Sequence, residues 1–289
     1  MNAKFILGLL LAIVCIGFIS CEKDEVKTEP MLIVKFQFDE NQVRLNNLGQ
    51  PAGVSAGNAA QSPIFNTISS HYIELAPNAN TGLGMGTILY HAPETTLGGA
   101  NAIDFSQAKI SAEGETFLKI PLSQIANGSY EWVRVSLSYQ NYDIVIRHDA
   151  TDHTGTLASF VGFNNYIGTH SIGNSTFPVN ANRAQGYWAL NVQGMPFSGQ
   201  APAGATTVPN PIASTSPIPQ GSCVVTGKFA NNLVITGNET HDVEMTLSLS
   251  INKSFEWHEI NPDGKYEPSA GENVVDMGLR GLIPSYQVQ

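Results

Sequence analysis

Near the C-terminus, ten consecutive residues alternate without a break. Val243, Met245, Leu247, Leu249 and Ile251 are apolar, and Asp242, Glu244, Thr246, Ser248 and Ser250 separate them. A period of two sends successive side chains to opposite faces of a β-strand. One face therefore belongs to a core, and a second layer must cover it. No stretch shows the 3.6-residue period of an amphipathic helix, while 27 Gly and 16 Pro punctuate the chain with turns. The pattern predicts an all-β fold, an antiparallel β-sandwich with long Gly/Pro-rich loops.

Other segments read the same way. Strands are expected at residues 32–38, 65–75, 87–90, 117–121 and 187–192. Asn127-Gly128 predicts a hairpin turn into a strand whose Val133, Val135, Leu137 and Tyr139 share a face, with a further strand at 144–146. Residues 223–229 and 233–236 read as a second hairpin about Asn231-Asn232. Residues 39–62 and 147–186 read as turn-rich. Residues 195–221, with six prolines, read as a long surface loop. No internal repeat appears, so residues 31–289 are expected to form one domain.

The N-terminus names a compartment. Lys4 precedes an apolar run of about 15 residues that ends at Ser20-Cys21. That is the anatomy of a secretory signal over residues 1–20, shorter than the ~20 apolar residues of a membrane span. A cysteine directly after the small residue resembles the lipobox of bacterial lipoproteins, with Phe18 in place of the usual Leu. The resemblance implies that Cys21 is lipidated. Residues 22–25 (EKDE) resemble the acidic export tag of Bacteroidota surface lipoproteins, and residues 21–30 then form a polar tether. These likenesses imply an outer-membrane protein, anchored by lipid and exposed at the surface. Cys15 leaves with the signal, so Cys223 is the one thiol left in the lipidated chain, expected as a small buried hydrophobe. A net charge of -10 excludes the phosphate backbone of a nucleic acid as a partner.

One loop carries a specific chemistry. From Glu259 the chain reads EINPDGKYEPSAGE, with oxygen-bearing side chains at Glu259, Asn261, Asp263 and Glu267. Gly264 follows where an EF-type loop turns sharply, Lys265 would offer its carbonyl, and Glu272 is the closing carboxylate. The expected ion is calcium, which takes six to eight hard oxygens. Glu259 in place of Asp, and Ser269-Ala270 as an insertion, depart from the EF-type spacing.

Weaker constellations are His148, Asp149, Asp152 and His153 as transition-metal donors, and His241 with His258 if the fold reunites them. Trp132, Trp188 and Trp257 would suit a sugar platform if they shared a face, although single strand tryptophans usually belong to a core. No H-E-x-x-H motif occurs.

The FQF strand, NGSYEWVRVSLSY, Tyr187-Trp188 and the strand ending at Lys253 and Phe255 resemble, in that order, the MbnP-like copper-binding β-sandwich domains. The whole chain looks like a group of Bacteroidota lipoproteins. The first resemblance implies copper as a cofactor, and no copper ligand is carried over. Two functions remain in view. One is a non-catalytic envelope lipoprotein that binds a carbohydrate, protein or metal-containing ligand and is stabilised by calcium. The other is a glycan-acting hydrolase with carboxylates dispersed over its loops.

Overall fold

The computed structural model describes residues 29–45, 50–201, 216, 218–279 and 281–289. The expected signal at 1–20, Cys21 and most of the expected tether lie outside the described residues. The chain forms β1 (Met31–Asp39), β2 (Asn58–Gln61), β3 (Ile64–Ala76), β4 (Thr87–His91), β5 (Glu94–Thr95) and β6 (Ala102–Asp104). Next come β7 (Thr116–Pro121), β8 (Gly128–His148), β9 (Thr151–Phe160), β10 (Asn164–Ile172), β11 (Ser175–Ala184) and β12 (Tyr187–Val192). The last are β13 (Met195–Gln200), β14 (Cys223–Ile235), β15 (Val243–Ser250), β16 (Phe255–His258), β17 (Val274–Asp276) and β18 (Leu282–Val288). Among the described residues, the only helical elements are three-residue 3-10 turns. The fold is all-β, as the periodicity predicts.

β8, 21 residues long, is the axis of a seven-stranded sheet ordered β13-β12-β9-β8-β3-β4. β3 runs along one side of it. The other side is divided, with β14 against residues 128–137 and β9 against residues 139–148. Between those halves lies a bulge. Leu137 pairs with Ser70 and Tyr139 with Ser69, which leaves Ser138 over, and its carbonyl accepts from the Val161 and Gly162 amides. One extra residue reverses the side-chain parity. Val133, Val135 and Leu137 are buried before the bulge, and Tyr142, Ile144 and Ile146 after it.

A four-stranded sheet, β18-β15-β1-β7, faces the first half of β8. Leu32, Val34 and Phe36 of β1, with Met245, Leu247 and Leu249 of β15, pack against Ile73, Leu75, Val133 and Val135. Each such side chain contributes about 1.5–3 kcal/mol on burial. β1 and β15 are parallel, Leu32 opposite Val243 through Asp39 opposite Ser250. β6 and β10 are parallel too, so the sandwich is not wholly antiparallel.

Two smaller sheets complete the layers. β17-β16-β2 covers the second half of β8, setting Phe255, Trp257 and Met277 against Tyr142, Ile144 and Ile146. Ring contacts at 5.0 Å from Phe38 to Phe65 and 4.8 Å from Phe65 to Tyr142 join this core to the first. β11-β10-β6-β5 packs on the opposite face, around Tyr139, Phe160, Ile167 and Phe177.

Several local expectations are corrected. Asn127-Gly128 is not a hairpin, because β7 and β8 belong to different sheets. The Tyr130 hydroxyl donates to the Ala126 carbonyl at 2.6 Å and fixes a corner there instead. Residues 147–186 contain β9, β10 and β11, and Asp149-Ala150, at φ 48° and 60°, forms the tight turn between β8 and β9. Residues 223–235 form one strand with a register shift between Lys228 and Leu233, since both parts pair with β8. Residues 195–200 form β13, and the segment 39–62 holds β2. Most of the proline-rich remainder lies outside the described residues.

One buried imidazole makes acid stability measurable. His170 is stacked on Phe177 at 5.1 Å, with Phe105 and Phe160 against its edge, and neither ring nitrogen has a partner. Burial lowers its pKa from 6.5 to about 4. The native ring thus stays neutral while the unfolded chain takes up a proton, so its stability contribution is lost as pH falls from about 6.5 towards 4. His170→Phe is expected to flatten the decline of unfolding temperature across that window, as read by calorimetry.

Candidate functional site

Where β8, β9, β12 and β13 curl away beneath β16 and β17, a cleft of about 580 Å³ opens. Ile144, Ile146, Leu157, Leu190, Val192 and Phe255 line it, with Trp188 on one wall and Tyr266 and Val274 on the other. Gly199 makes the Trp188 position accessible. A Cβ there would meet the indole at 2.6 Å, so only a glycine on β13 lets the ring lie across it. Met195 and Phe197 at the rim are about half exposed. The polar groups of the lining are Arg147, His148, His153, Gln193, Gln200, Glu272 and Asn273.

The expected calcium loop joins β16 to β17 and supplies one wall of this cleft. Its sheet is pinned by Glu256, a buried carboxylate that pairs with Arg44 and accepts from Asn58 and the Ser55 amide. Within the loop, Glu259 accepts from the amides of Asp263 and Gly264, at 3.2 and 2.7 Å. Gly264 sits at φ 72°, in the left-handed region that favours glycine. Glu272, 2 % exposed, accepts from the amides of Ile260, Asn261 and Glu267. Asn261 donates to Glu267. Asp263 accepts from the Lys265 amide at 2.9 Å and pairs with Arg147 at 3.1 Å. Asp152 ties Arg147 and Lys265 together at 2.7 and 3.4 Å. All six predicted residues lie in one loop, and its four carboxylates are engaged by N–H donors without converging on a common point.

The other predicted donors are dispersed. His148 and His153 are both on the β8–β9 hairpin at the cleft edge. His153 contacts Gln193 at 3.0 Å, and His148 lies 3.6 Å from Asp149. His241 precedes β15 and contacts Thr240, whereas His258 ends β16. Trp257 is fully buried, Trp132 lies beside Lys228, and Trp188 faces the cleft, so the three share no platform. Cys223 is buried in the main core, as expected.

Sequence reasoning passed over one cluster. His71 of β3, His91 at the end of β4 and Glu94 at the start of β5 bring one ligand atom each within 4.8 Å of one another. Among the described residues this is the one group of three or more His, Cys, Asp or Glu side chains that does so. His71 Nε2 is 2.9 Å and His91 Nε2 is 3.2 Å from the same oxygen, Glu94 Oε1. Asn101 donates to Glu94 Oε2 at 2.6 Å. The hydrogen bond from His71 is the chief cause that lowers the Glu94 pKa, to about 2. Burial holds the His71 pKa below its ordinary value. The local signal was His91-Ala92-Pro93-Glu94, two donors three residues apart across a proline corner. His71, far away in sequence and inside an apolar strand, gave none.

Comparison of the chain with protein families, with curated proteins and with solved structures finds no match.

Proposed function

We propose that this chain is a non-catalytic, lipid-anchored protein of the outer-membrane surface that holds a small apolar molecule in the cleft beside β12 and β13. The observation that carries the reading is the cleft itself. Its volume of about 580 Å³ falls within the 300–1,000 Å³ of small-molecule sites. Its walls are mainly aliphatic and aromatic, and a smaller set of polar groups is available to orient a ligand. Glu272, the one carboxylate among the lining residues, spends its oxygens on three loop amides. That supports a binding role over hydrolysis, which needs a carboxyl group available to substrate.

An apolar fluorescent dye is expected to bind the wild-type protein with one site. Leu190→Arg, which places a charge on the wall, should weaken it by roughly tenfold or more, the factor set by 1.4 kcal/mol. Equal dye binding by the variant and the wild type, at equal unfolding temperature, would remove the cleft as the site.

The anchor is Cys21, on the strength of the lipobox resemblance. Cys21→Ala should move the protein from the membrane fraction to the soluble fraction. Retention of the variant with membranes contradicts lipid attachment.

We further assign calcium to the 259–272 loop, through Glu259, Asn261, Asp263, the Lys265 carbonyl, Glu267 and Glu272. The sequence spacing supports it, and binding would exchange amide and Arg147 contacts for the ion. At a hundredfold excess over its dissociation constant, calcium should add about 2.7 kcal/mol to stability. Asp263→Ala should abolish the rise in unfolding temperature. A wild-type protein that calcium leaves unchanged at millimolar concentration has a loop closed by hydrogen bonds alone.

A further inference from the structure

The His71, His91 and Glu94 cluster lies at a seam between two sheets. β4 is an edge of the seven-stranded sheet, and β5 is an edge of the four-stranded sheet that ends with it. The chain crosses from one to the other at Ala92-Pro93. The Ala92 amide donates to the His71 carbonyl at 2.7 Å, and the Asp104 amide donates to the Pro93 carbonyl at 2.9 Å. The corner is therefore pinned on both sides, and the three side chains are placed by backbone that has little freedom.

Their spacing is that of a coordination sphere. Zinc holds His nitrogen at about 2.0–2.1 Å and carboxylate oxygen at about 2.0–2.2 Å in a tetrahedron, which puts neighbouring donor atoms about 3.3 Å apart. Glu94 Oε1 is 2.9 and 3.2 Å from the two Nε2 atoms, within a few tenths of an ångström of that spacing, and all three donors lie within 4.8 Å of one another. Asn101 holds the other carboxylate oxygen, as outer partners of metal ligands commonly do. The His71 side chain is wholly buried, and its Nδ1 is without a hydrogen-bond partner. His91 is 44 % exposed, which gives water access to one side. None of the three lines the apolar cleft.

We propose that His71 Nε2, His91 Nε2 and Glu94 Oε1 bind one divalent first-row transition ion of the zinc class, with water as the fourth ligand. Two imidazoles and one carboxylate are a borderline nitrogen and oxygen set, unsuited to calcium, which takes six to eight oxygens. The set has an open position, so the ion is reachable by a small anionic or neutral donor from solvent. It also ties β3, β4 and β5 at a seam joined otherwise by backbone hydrogen bonds. The alternative arrangement is a carboxylate that accepts one N–H from each imidazole with no ion, and the two differ in a measurable way.

The full chain, purified in mild detergent and stripped with chelator, is titrated with Zn²⁺ by calorimetry. His91→Ala and Glu94→Gln change groups at or near the surface, which keeps the buried His71 intact. His148→Ala removes an exposed imidazole outside the cluster, and Asp263→Ala removes a carboxylate of the 259–272 loop. One equivalent is expected in the wild type, weakened about 10- to 100-fold or lost in His91→Ala and Glu94→Gln. His148→Ala and Asp263→Ala should bind as the wild type does. Co²⁺ should show the intense visible bands of a tetrahedral site in the wild type and lose them in His91→Ala. No uptake by the wild type, or wild-type affinity in His91→Ala and Glu94→Gln, overturns the proposal in favour of the hydrogen-bonded trio. A loss shared by His148→Ala overturns it in favour of adventitious binding at surface imidazoles.

Discussion

A strand 21 residues long cannot keep one face in two separate cores unless its twist and its parity are both managed, and β8 does this at Ser138. Before the bulge its odd-numbered residues meet the β1–β15 sheet, and after it the even-numbered ones meet Phe255 and Trp257. The Val161 and Gly162 amides satisfy the displaced carbonyl. Without the extra residue, Tyr142, Ile144 and Ile146 would turn to the opposite face and the β16–β17 sheet would have no core to cover. The apolar cleft depends on the same step, because Ile144 and Ile146 form part of its lining.

Much of the fold was legible where one face is wet. β1 and β15 alternate cleanly because their outer faces carry Lys35, Gln37, Glu244 and Thr246. Legibility failed where both faces are covered or where neither side is strongly apolar. β3 is buried continuously from Ile68 to Ala76, including Ser69, Ser70, His71 and Glu74. β9 to β11 carry Thr, Asn and Gly at positions that a sheet tolerates but a hydrophobic pattern does not record. The reading of Asn127-Gly128 failed for a different reason. A turn dipeptide marks a change of direction, and a 3-10 turn with the Tyr130 corner uses it to change sheets.

The two candidate sites differ in the same way. The 259–272 loop is contiguous, so its oxygens and its glycine were visible, and all fall in one connection between β16 and β17. The cleft is built from six strands and that loop, and no window of sequence contains it. The His71, His91 and Glu94 trio needs a strand pairing, Tyr72 opposite His91, before its members are neighbours at all. Residues that act at a distance along the chain are visible only through the register that joins them.

The parallel pairing of β1 with β15 orders events in time. Leu32 and Val243 are partners in this ladder, so about 200 residues must be made between them. Until β15 is in place, that edge of β1 stays unfilled. During that interval β7 can occupy only its other side. A half-finished chain therefore presents a bare edge of alternating apolar residues, the kind of surface on which chains stick to one another. Closure of the sandwich is a late event of high contact order, and folding of the mature core is expected to be slow for that topological reason. A chain ending before residue 243 would keep that edge bare permanently.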